Sequence, residues 1–279
     1  MFANPKYNQQ GGRPKSRPRK ETDNQPFHSK QKKSEKLQLV CGMRPVMEAI
    51  DAGQQIDKIL MLSNLEGQLA QELTSRIRQT GLPLQYVPVE KLNRMTDANH
   101  QGVVAIISPI VYRDFAELLQ QLEDEGKTPF ILLLDHITDV RNMGAIVRTA
   151  ECAGVDAVVV PDRGSAQISE DAIKTSSGAL LRIPVCREQN FKTTLNLAHQ
   201  IGLQVVAATE KGADNYTAVD YKRPTLLVMG SEDTGISPEV LRLCDVRARL
   251  PICGEVQSLN VSVAAGVFMY EVLRQRSNT

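Results

Sequence analysis

Residues 130–135 read Phe-Ile-Leu-Leu-Leu-Asp, five apolar side chains in a row followed by an acid. A strand with one face exposed to solvent alternates apolar and polar residues. An unbroken apolar run therefore predicts a strand that is covered on both faces, as in a parallel sheet. Similar runs occur at 157–160, 203–208 and 225–229, with a weaker one at 246–250. The chain from residue 129 onward is predicted to be an open parallel α/β sheet.

Helical periodicity separates these strands. Predicted helices lie at 114–125, 144–153, 170–176, 192–200, 238–244 and 260–274. Gly154 is a predicted helix stop, and Ser237-Pro238 supplies an N-cap followed by proline in the first turn. The last helix is apolar nearly all round in its first half, so we expect it to be buried on more than one side.

A smaller α/β unit precedes this sheet. Its predicted strands are 57–62, 84–87 and 103–107, and two of its predicted helices are 46–50 and 91–95. A third helix, ending before Gly81, is predicted from apolar residues spaced four apart: Leu65, Leu69, Leu73 and Ile77. The predicted organisation is a disordered basic tail (1–36), a front domain (37–108), a linker helix (109–128) and a larger domain (129–279).

The net charge of +1 conceals an uneven distribution. Residues 1–36 contain ten basic and three acidic residues, a net charge of +7, and only five apolar ones, too few to offset the entropy of ordering. The remaining residues contain 23 basic and 29 acidic residues, a net charge of −6. The tail is predicted to be either a nonspecific tether for a polyanion or a solvated extension without function.

Several classes are excluded by composition. The sequence has no apolar run long enough for a transmembrane helix and no secretory signal, which predicts a protein without a membrane partner. Five scattered cysteines without a Cys-x-x-Cys pair, and four histidines, predict neither a disulfide framework nor a metal site. We expect a cytoplasmic protein.

Chemistry is expected in the loops that follow the strands, because ligands of parallel sheets bind at the carboxyl ends. Gly230 and Gly235 have the spacing of a phosphate-binding loop, but Ile236 stands where that loop needs lysine. A simple turn that needs glycine at positive φ is the alternative. Arg148 could simply pair with Glu151 on a helix surface.

Three motifs follow strand ends. They are Asp135-x-x-x-Asp139-x-x-Asn142-x-Gly144 with Arg148, Gly230-x-Glu232-x-x-Gly235, and Pro251-x-x-Gly254-x-Val256-x-Ser258-Leu259-Asn260. Taken together, they resemble the motifs of the SpoU/TrmH family of RNA ribose 2′-O-methyltransferases. One departure is Val140, where the family often has proline. In the third motif Ser258 or Asn260 could alternatively serve only as a helix N-cap.

The front domain resembles the RNA-binding, ribosomal-protein-L30-like domain of the RlmB subgroup, through the segments Gly42-Met43-Arg44-Pro45 and His100-Gln101-Gly102-Val103. The resemblance implies a SPOUT fold with a trefoil knot, S-adenosylmethionine as cofactor and a homodimer. By the same resemblance, the residues of this chain that bind RNA would be Arg44, His100, Arg141 and Arg148.

The resemblance also implies site residues. The catalytic set would be Arg148, Asn142, Glu232, Ser258 and Asn260, and the cofactor-binding set would be Thr209, Gly230, Leu250, Ile252, Ser258 and Leu259. In the family, the arginine of the first motif, here Arg148, is proposed to act as the general base. Since arginine stays protonated, we favour a role for Arg148 in binding phosphate and stabilising the developing alkoxide.

The implied activity is methylation of a ribose 2′-hydroxyl, on a guanosine of 23S (large-subunit) rRNA or its precursor. Two alternatives stay open. The substrate could be tRNA, or the chain could be a catalytically silent RNA-binding factor of ribosome assembly. Intact Asn142, Arg148 and Glu232 argue against the silent factor, which would not bind S-adenosylmethionine.

Overall fold

The computed structural model describes residues 38–256 and 258–277. The predicted basic tail lies outside the described residues. The described chain forms two sheets, which we call the front sheet (strands within 39–107) and the large sheet (strands within 112–249). The expected α/β architecture with a parallel sheet is confirmed.

The front sheet has the strand order β1-β4-β2-β3, in which only β2 and β3 are parallel. Its elements are β1 (Leu39–Cys41), α1 (Met43–Asp51), β2 (Ile56–Met61), α2 (Gln68–Thr80), β3 (Leu84–Tyr86), α3 (Val89–Met95) and β4 (Val103–Ile107). Helix α2 ends where predicted, because Gly81 adopts the left-handed conformation at φ 66°. Leu65, by contrast, precedes the helix.

The large sheet has eight parallel strands in the order β10-β12-β9-β11-β6-β7-β8-β5. The strands are β5 (Tyr112–Arg113), β6 (Phe130–Asp135), β7 (Ala157–Pro161), β8 (Val185–Glu188), β9 (Gln204–Ala208), β10 (Asp214–Asn215), β11 (Thr225–Gly230) and β12 (Val246–Arg249). The quoted run forms β6 near the centre of this sheet, where all six of its residues are buried.

Helices cover both faces of the large sheet. They are α4 (Phe115–Asp124), α5 (Val140–Cys152), α6 (Glu170–Thr175), α7 (Phe191–Gln200), α8 (Pro238–Leu241) and α9 (Val261–Ser277), with two 3-10 turns, Ala179–Leu181 and Tyr216–Ala218. One apolar core lies under α5, α6 and α9, and the other lies under α4, α7 and α8. Leu132 faces the first core and Leu133 the second, as the alternation of a strand requires.

Helix α5 begins earlier than the sequence predicted. The start at residue 144 was wrong, because the Oδ1 of Asp139 accepts a hydrogen bond from the backbone N of Asn142 (2.8 Å) and caps the helix at Val140. This places Asn142 in the first turn of α5. The predicted stop is confirmed, since Gly154 has φ 74° immediately after the helix.

Four strands were missed. They are β1, β5, β8 and β10, and each is short or rich in polar residues, so that none shows the apolar pattern of a central strand. Strand β5 lies within the predicted linker 109–128 and pairs with β8, so this stretch contributes to the large sheet. The domain boundaries stay a prediction.

Ser237 stands at the N-cap of α8 and Pro238 at its first position, as predicted, although the Ser237 side chain makes no capping hydrogen bond. The predicted end of this helix was wrong, because α8 ends at Leu241, one turn before residue 244. The last helix, expected to be buried on more than one side, buries Val261 and Phe268 but leaves Val263 and Tyr270 53% and 51% exposed. The trefoil knot stays a prediction. Among the described residues no helix is both long and apolar enough to cross a membrane.

Candidate functional site

The motif loops meet at one edge of the large sheet. Strands β12, β9, β11 and β6 are neighbours and parallel, so the loops that follow them leave the sheet on the same side. The loops after β9, β11 and β12 enclose an open cleft of about 720 Å³ there. This is the position at which ligands bind in parallel sheets.

The structure gathers the residues predicted to bind a cofactor. All six line this cleft: Thr209, Gly230, Leu250, Ile252, Ser258 and Leu259. Three predicted catalytic residues, Glu232, Ser258 and Asn260, line it as well. Sequence reasoning missed the back wall, where Met229 of β11 and Phe268 of α9 add apolar surface. Phe268 was read only as part of an apolar helix, so no signal distinguished it.

Asn260 joins all three motifs. Its Nδ2 donates to the Oδ1 of Asn142 (3.0 Å) and to the Oε1 of Glu232 (2.5 Å). Its Oδ1 accepts from the backbone N of Ser262 (3.0 Å), so it also caps α9. Glu232 accepts a further bond from the backbone N of Val261 (3.0 Å). The capping role and the role in the site, which the sequence offered as alternatives, therefore belong to one side chain.

The loop that carries Glu232 is folded back tightly. Residues Ser231 and Gly235 bridge it through reciprocal backbone hydrogen bonds of 3.2 and 3.0 Å. A Cβ on Gly230 would lie 2.2 Å from the carbonyl carbon of Gly235, so only glycine fits there. Gly235 itself has φ 70°. Both glycines are thus needed to form the turn, and the turn presents Glu232 to the cleft.

A buried carboxylate supports this arrangement. Asp135, at the end of β6, is fully buried. Its Oδ2 accepts from the backbone N of Ser237 (2.7 Å), which fixes the far end of the glycine loop, and its Oδ1 lies 2.5 Å from the Nδ1 of His136. The sequence located Asp135 in the first motif but did not assign it this structural role.

Arg148 stands apart from this network. It is exposed on α5, and it has no hydrogen-bond or ion-pair partner among the residues the structure describes. The alternative pairing with Glu151 does not form, since Glu151 lies 3.9 Å from Arg182 instead. Arg148 and the exposed Arg141 are also absent from the cleft lining. Both guanidinium groups are therefore free to meet a ligand from solution.

The two segments of the front domain that resemble RNA-binding ones lie side by side. The backbone N of Gly42 donates to the carbonyl of Val103 (3.0 Å), and Arg44 is exposed at the start of α1. His100 is already engaged, because its Nε2 lies 2.9 Å from the Oδ1 of Asn93 and its Nδ1 accepts from the backbone N of Gly102 (2.9 Å). Within the described chain, His100 shapes the turn and Arg44 is available.

Two of the cysteines are unsuited to act as nucleophiles. Burial raises the pKa of Cys186 and of Cys244 to about 12 in each case. Both side chains are therefore neutral thiols near pH 7, and a thiol is a much weaker nucleophile than a thiolate.

Comparison with known proteins agrees with this geometry. Residues 129–270 match the SpoU rRNA Methylase family, and residues 39–113 match the family described as RNA 2′-O ribose methyltransferase substrate binding. A putative TrmH family tRNA/rRNA methyltransferase, YacO of Bacillus subtilis, is 35% identical over 244 residues, which are 88% of this chain and 98% of that protein. The chain belongs to the SpoU/TrmH family.

Two solved structures add to the family assignment. An AdoMet-bound rRNA methyltransferase from Sinorhizobium meliloti is 25% identical, with a TM-score of 0.55, and the match covers 85% of this chain and 86% of that one. A TrmH/SpoU tRNA-modifying enzyme from A. aeolicus is 31% identical, with a TM-score of 0.51, and the match covers 58% of this chain and 85% of that one. This SpoU/TrmH chain is an S-adenosylmethionine-dependent RNA methyltransferase.

The cleft fits S-adenosylmethionine chemically. Apolar side chains of Leu250, Ile252 and Phe268 offer a surface for an adenine ring. Glu210, Glu232 and Asp233 outnumber Lys211, the single lysine in the lining, so the cleft favours a cationic sulfonium and ammonium. The same acids would repel a triphosphate.

Proposed function

We propose that this chain methylates a ribose 2′-hydroxyl of a guanosine in 23S rRNA or its precursor, in the cytoplasm. The observation that carries the proposal is the junction at Asn260, which brings the three motifs to one cofactor cleft. We further propose that residues 37–108 form the RNA-binding domain, joined by 109–128 to the methyltransferase domain.

The front domain favours rRNA over tRNA. The match to the rRNA methyltransferase from Sinorhizobium meliloti covers 85% of this chain, whereas the match to the tRNA-modifying enzyme covers 58%. Residues 39–113 match the substrate-binding family. A tRNA substrate is the alternative, because the relative from Bacillus subtilis is named for both RNA classes.

The residues support the reaction through position and charge. S-adenosylmethionine supplies an electrophilic methyl group when it is bound. Asn142, Glu232 and Asn260 hold the glycine loop, α5 and α9 in one arrangement, which orients the ribose relative to the cleft. Arg148, which stays protonated, binds a phosphate next to the target ribose and stabilises the negative charge that develops on the 2′-oxygen.

The proposal is tested by incubating the protein with labelled S-adenosylmethionine and unmodified total RNA, and by mapping alkali-resistant 2′-O-methyl sites. We expect one guanosine of 23S rRNA to be labelled. Labelling of tRNA instead would identify tRNA as the substrate. Absence of labelling together with no binding at millimolar S-adenosylmethionine would favour the silent assembly factor.

The role of Arg148 has its own test. Arg148→Ala should abolish methyl transfer and leave cofactor affinity unchanged, because Arg148 lies outside the cleft. Arg242→Ala, at an exposed arginine at the end of α8 and outside the proposed RNA-binding domain, is the matched control. Full activity of Arg148→Ala would disprove the role.

We also propose that the chain acts as a homodimer. Val263 and Tyr270, seven residues apart, expose an apolar stripe on α9, and Leu259 at the cleft is 44% exposed. A stripe of this kind on a long helix is suited to packing against a second copy. Thr149, adjacent to Arg148, lies against Gly266 of α9, 3.7 Å from a Cβ placed there. Dimerisation through α9 would therefore bring Arg148 close to the partner copy.

Two measurements test the dimer. Val263→Glu should yield monomers in sedimentation, whereas Leu181→Glu, at a side chain 62% exposed elsewhere, should not. If Arg148 serves the cleft of the partner, co-assembly of Arg148→Ala with Glu232→Gln should restore about a quarter of the activity. That figure assumes random pairing, with one intact site in each heterodimer. No recovery would place Arg148 in its own chain's site.

A further inference from the structure

A second cleft of about 380 Å³ lies where the front sheet meets the large sheet. One wall is formed by the carboxyl ends of β7 and β8 and by the loop at 162–168, and the other by β2, β3 and Pro83. None of the predicted site residues lines it. The front-sheet wall lies within the segment 39–113 that matches the substrate-binding family, but that match names no ligand for the cleft itself.

A partly buried ion pair fixes the two walls relative to each other. The Nη1 of Arg187, on β8, donates to the Oδ1 (2.9 Å) and to the backbone O (3.0 Å) of Asp57, on β2. The guanidinium also lies 4.2 Å from the centroid of the Tyr112 ring. The two side chains of the ion pair are only 17% and 14% exposed. The cleft is therefore a formed feature of the fold, and the charges of this pair are already balanced.

The polar groups that remain in the cleft are available to a ligand. The side-chain amides of Gln85 and Gln167 have no hydrogen-bond partner within the described part of the chain. Lys58 likewise lacks an ion-pair partner there, and Arg163 lies 3.7 Å from Asp162. Apart from the two paired acids, the lining thus offers one unpaired cation and two amides that can both donate and accept.

These groups match a nucleotide. A phosphodiester needs a cation such as Lys58, and a base edge presents donors and acceptors that a glutamine amide can read. Pro83 and Pro161 provide flat apolar surface for a ring. Ligand pockets range from about 300 to 1,000 Å³, so this cleft suits one small ligand and excludes a duplex.

The second cleft opens on the same edge of the large sheet as the cofactor cleft. The former lies beyond β7 and the latter beyond β11, which are two strands apart, about 10 Å at the usual spacing. Between them, the carbonyl of Ile137 accepts from the backbone N of Ala166 (2.7 Å), which ties the 162–168 loop to the first motif. An RNA strand with its target ribose at the cofactor cleft can therefore reach the second cleft within a few nucleotides.

We propose that this second cleft binds one unstacked nucleotide of the RNA substrate, a few positions from the methylated ribose. Sequence-specific RNA recognition uses unpaired bases in this way, because base edges in a duplex are hard to reach. The inference rests on the proposed RNA substrate. It adds a subsite that selects among RNAs without contacting the reacting atoms.

The test compares variants of the full-length protein. Gln85→Ala/Gln167→Ala removes both amides, and Gln167→Trp fills the cleft. Gln120→Ala/Gln200→Ala, two exposed glutamines on α4 and α7, is the matched control. The measurements are kcat and KM for RNA, affinity for S-adenosylmethionine, and affinity for a ten-nucleotide single-stranded RNA of mixed sequence and for the four 5′-ribonucleoside monophosphates.

Removal of two hydrogen bonds should raise the KM for RNA, and weaken binding of the oligonucleotide, about tenfold. Turnover and cofactor affinity should change less than twofold, and the control should match wild type. Unchanged KM and RNA affinity in both cleft variants would overturn the proposal. Monophosphate binding that both variants abolish without affecting RNA would also overturn it and would assign the cleft to a free nucleotide. If wild type transfers no methyl group to RNA, the proposed function fails, and the oligonucleotide measurement still decides the subsite.

Discussion

Asn260 is the position at which a single substitution removes both a helix cap and the junction of the site. Asn260→Ala removes the cap of α9, worth about 1 kcal/mol. It also removes the hydrogen bond to the Glu232 carboxylate, about 1.5 kcal/mol at the lower end for a charged acceptor, because both side chains are exposed. The hydrogen bond to Asn142 is lost as well, about 0.5 kcal/mol for a neutral pair at the surface. The sum is about 3 kcal/mol, which lowers Tm by about 6–12 °C in a chain of this size.

The assay is thermal unfolding by circular dichroism, together with S-adenosylmethionine affinity by calorimetry. Asn190→Ala is the matched control, because Asn190 caps α7 through the backbone N of Lys192 (2.9 Å) and lies outside the cofactor cleft. It should cost about 1 kcal/mol and leave cofactor affinity unchanged. If Asn260→Ala costs no more than this control, the junction contributes nothing to stability and the reasoning is refuted.

A charge variant sharpens the same test. Asn260→Asp keeps an oxygen that caps α9 but faces the Glu232 carboxylate with a second negative charge. It should be less stable than wild type above pH 5. Combining it with Glu232→Gln restores a donor and an acceptor in exchanged places and should recover most of the loss. No recovery in the double variant would show that the two side chains do not meet.

Three further predictions concern packing, pH and the tail. Gly144→Ala should lower the free energy of unfolding by about 1–3 kcal/mol, because the added Cβ would lie 2.6 Å from the Cβ of Thr175. Gly266→Ala, whose added Cβ would lie 3.7 Å from its nearest atom, should leave the protein equally or more stable. Chemical denaturation measures both. Hydrogen bonds from Arg274 lower the pKa of Glu271 below its ordinary 4.5. The free energy of unfolding of wild type should therefore exceed that of Glu271→Gln near pH 6, and the difference should disappear as the pH falls through the lowered pKa. A difference that grows in acid would contradict this. Deletion of residues 1–36 should make the slope of log K for RNA binding against log[salt] shallower by about 0.7 for each phosphate that the tail neutralises. Cofactor affinity should not change. An unaltered slope would show that the tail is not a tether.

The central strands and the order of the motifs could be predicted from the sequence, because burial on both faces requires unbroken apolar runs such as 130–134. The short or polar strands could not. Strand β8 places Arg187 in the sheet because Asp57, 130 residues earlier, neutralises its charge. No local pattern can show such a partner.

The site divides in the same way. At the level of sequence, the resemblance to the SpoU/TrmH motifs grouped Asn142, Glu232 and Asn260 in one set, and the strand pattern placed the implied cofactor residues after strand ends. Only the tertiary structure decided that Asn260 bonds to both of the others and that Arg148 stands outside the cleft. It also revealed the second cleft between the two sheets. Strand and helix patterns follow from the side chains of neighbouring residues, whereas these contacts join residues about 30 to 130 positions apart, whose proximity depends on how the parallel strands are ordered in the sheet.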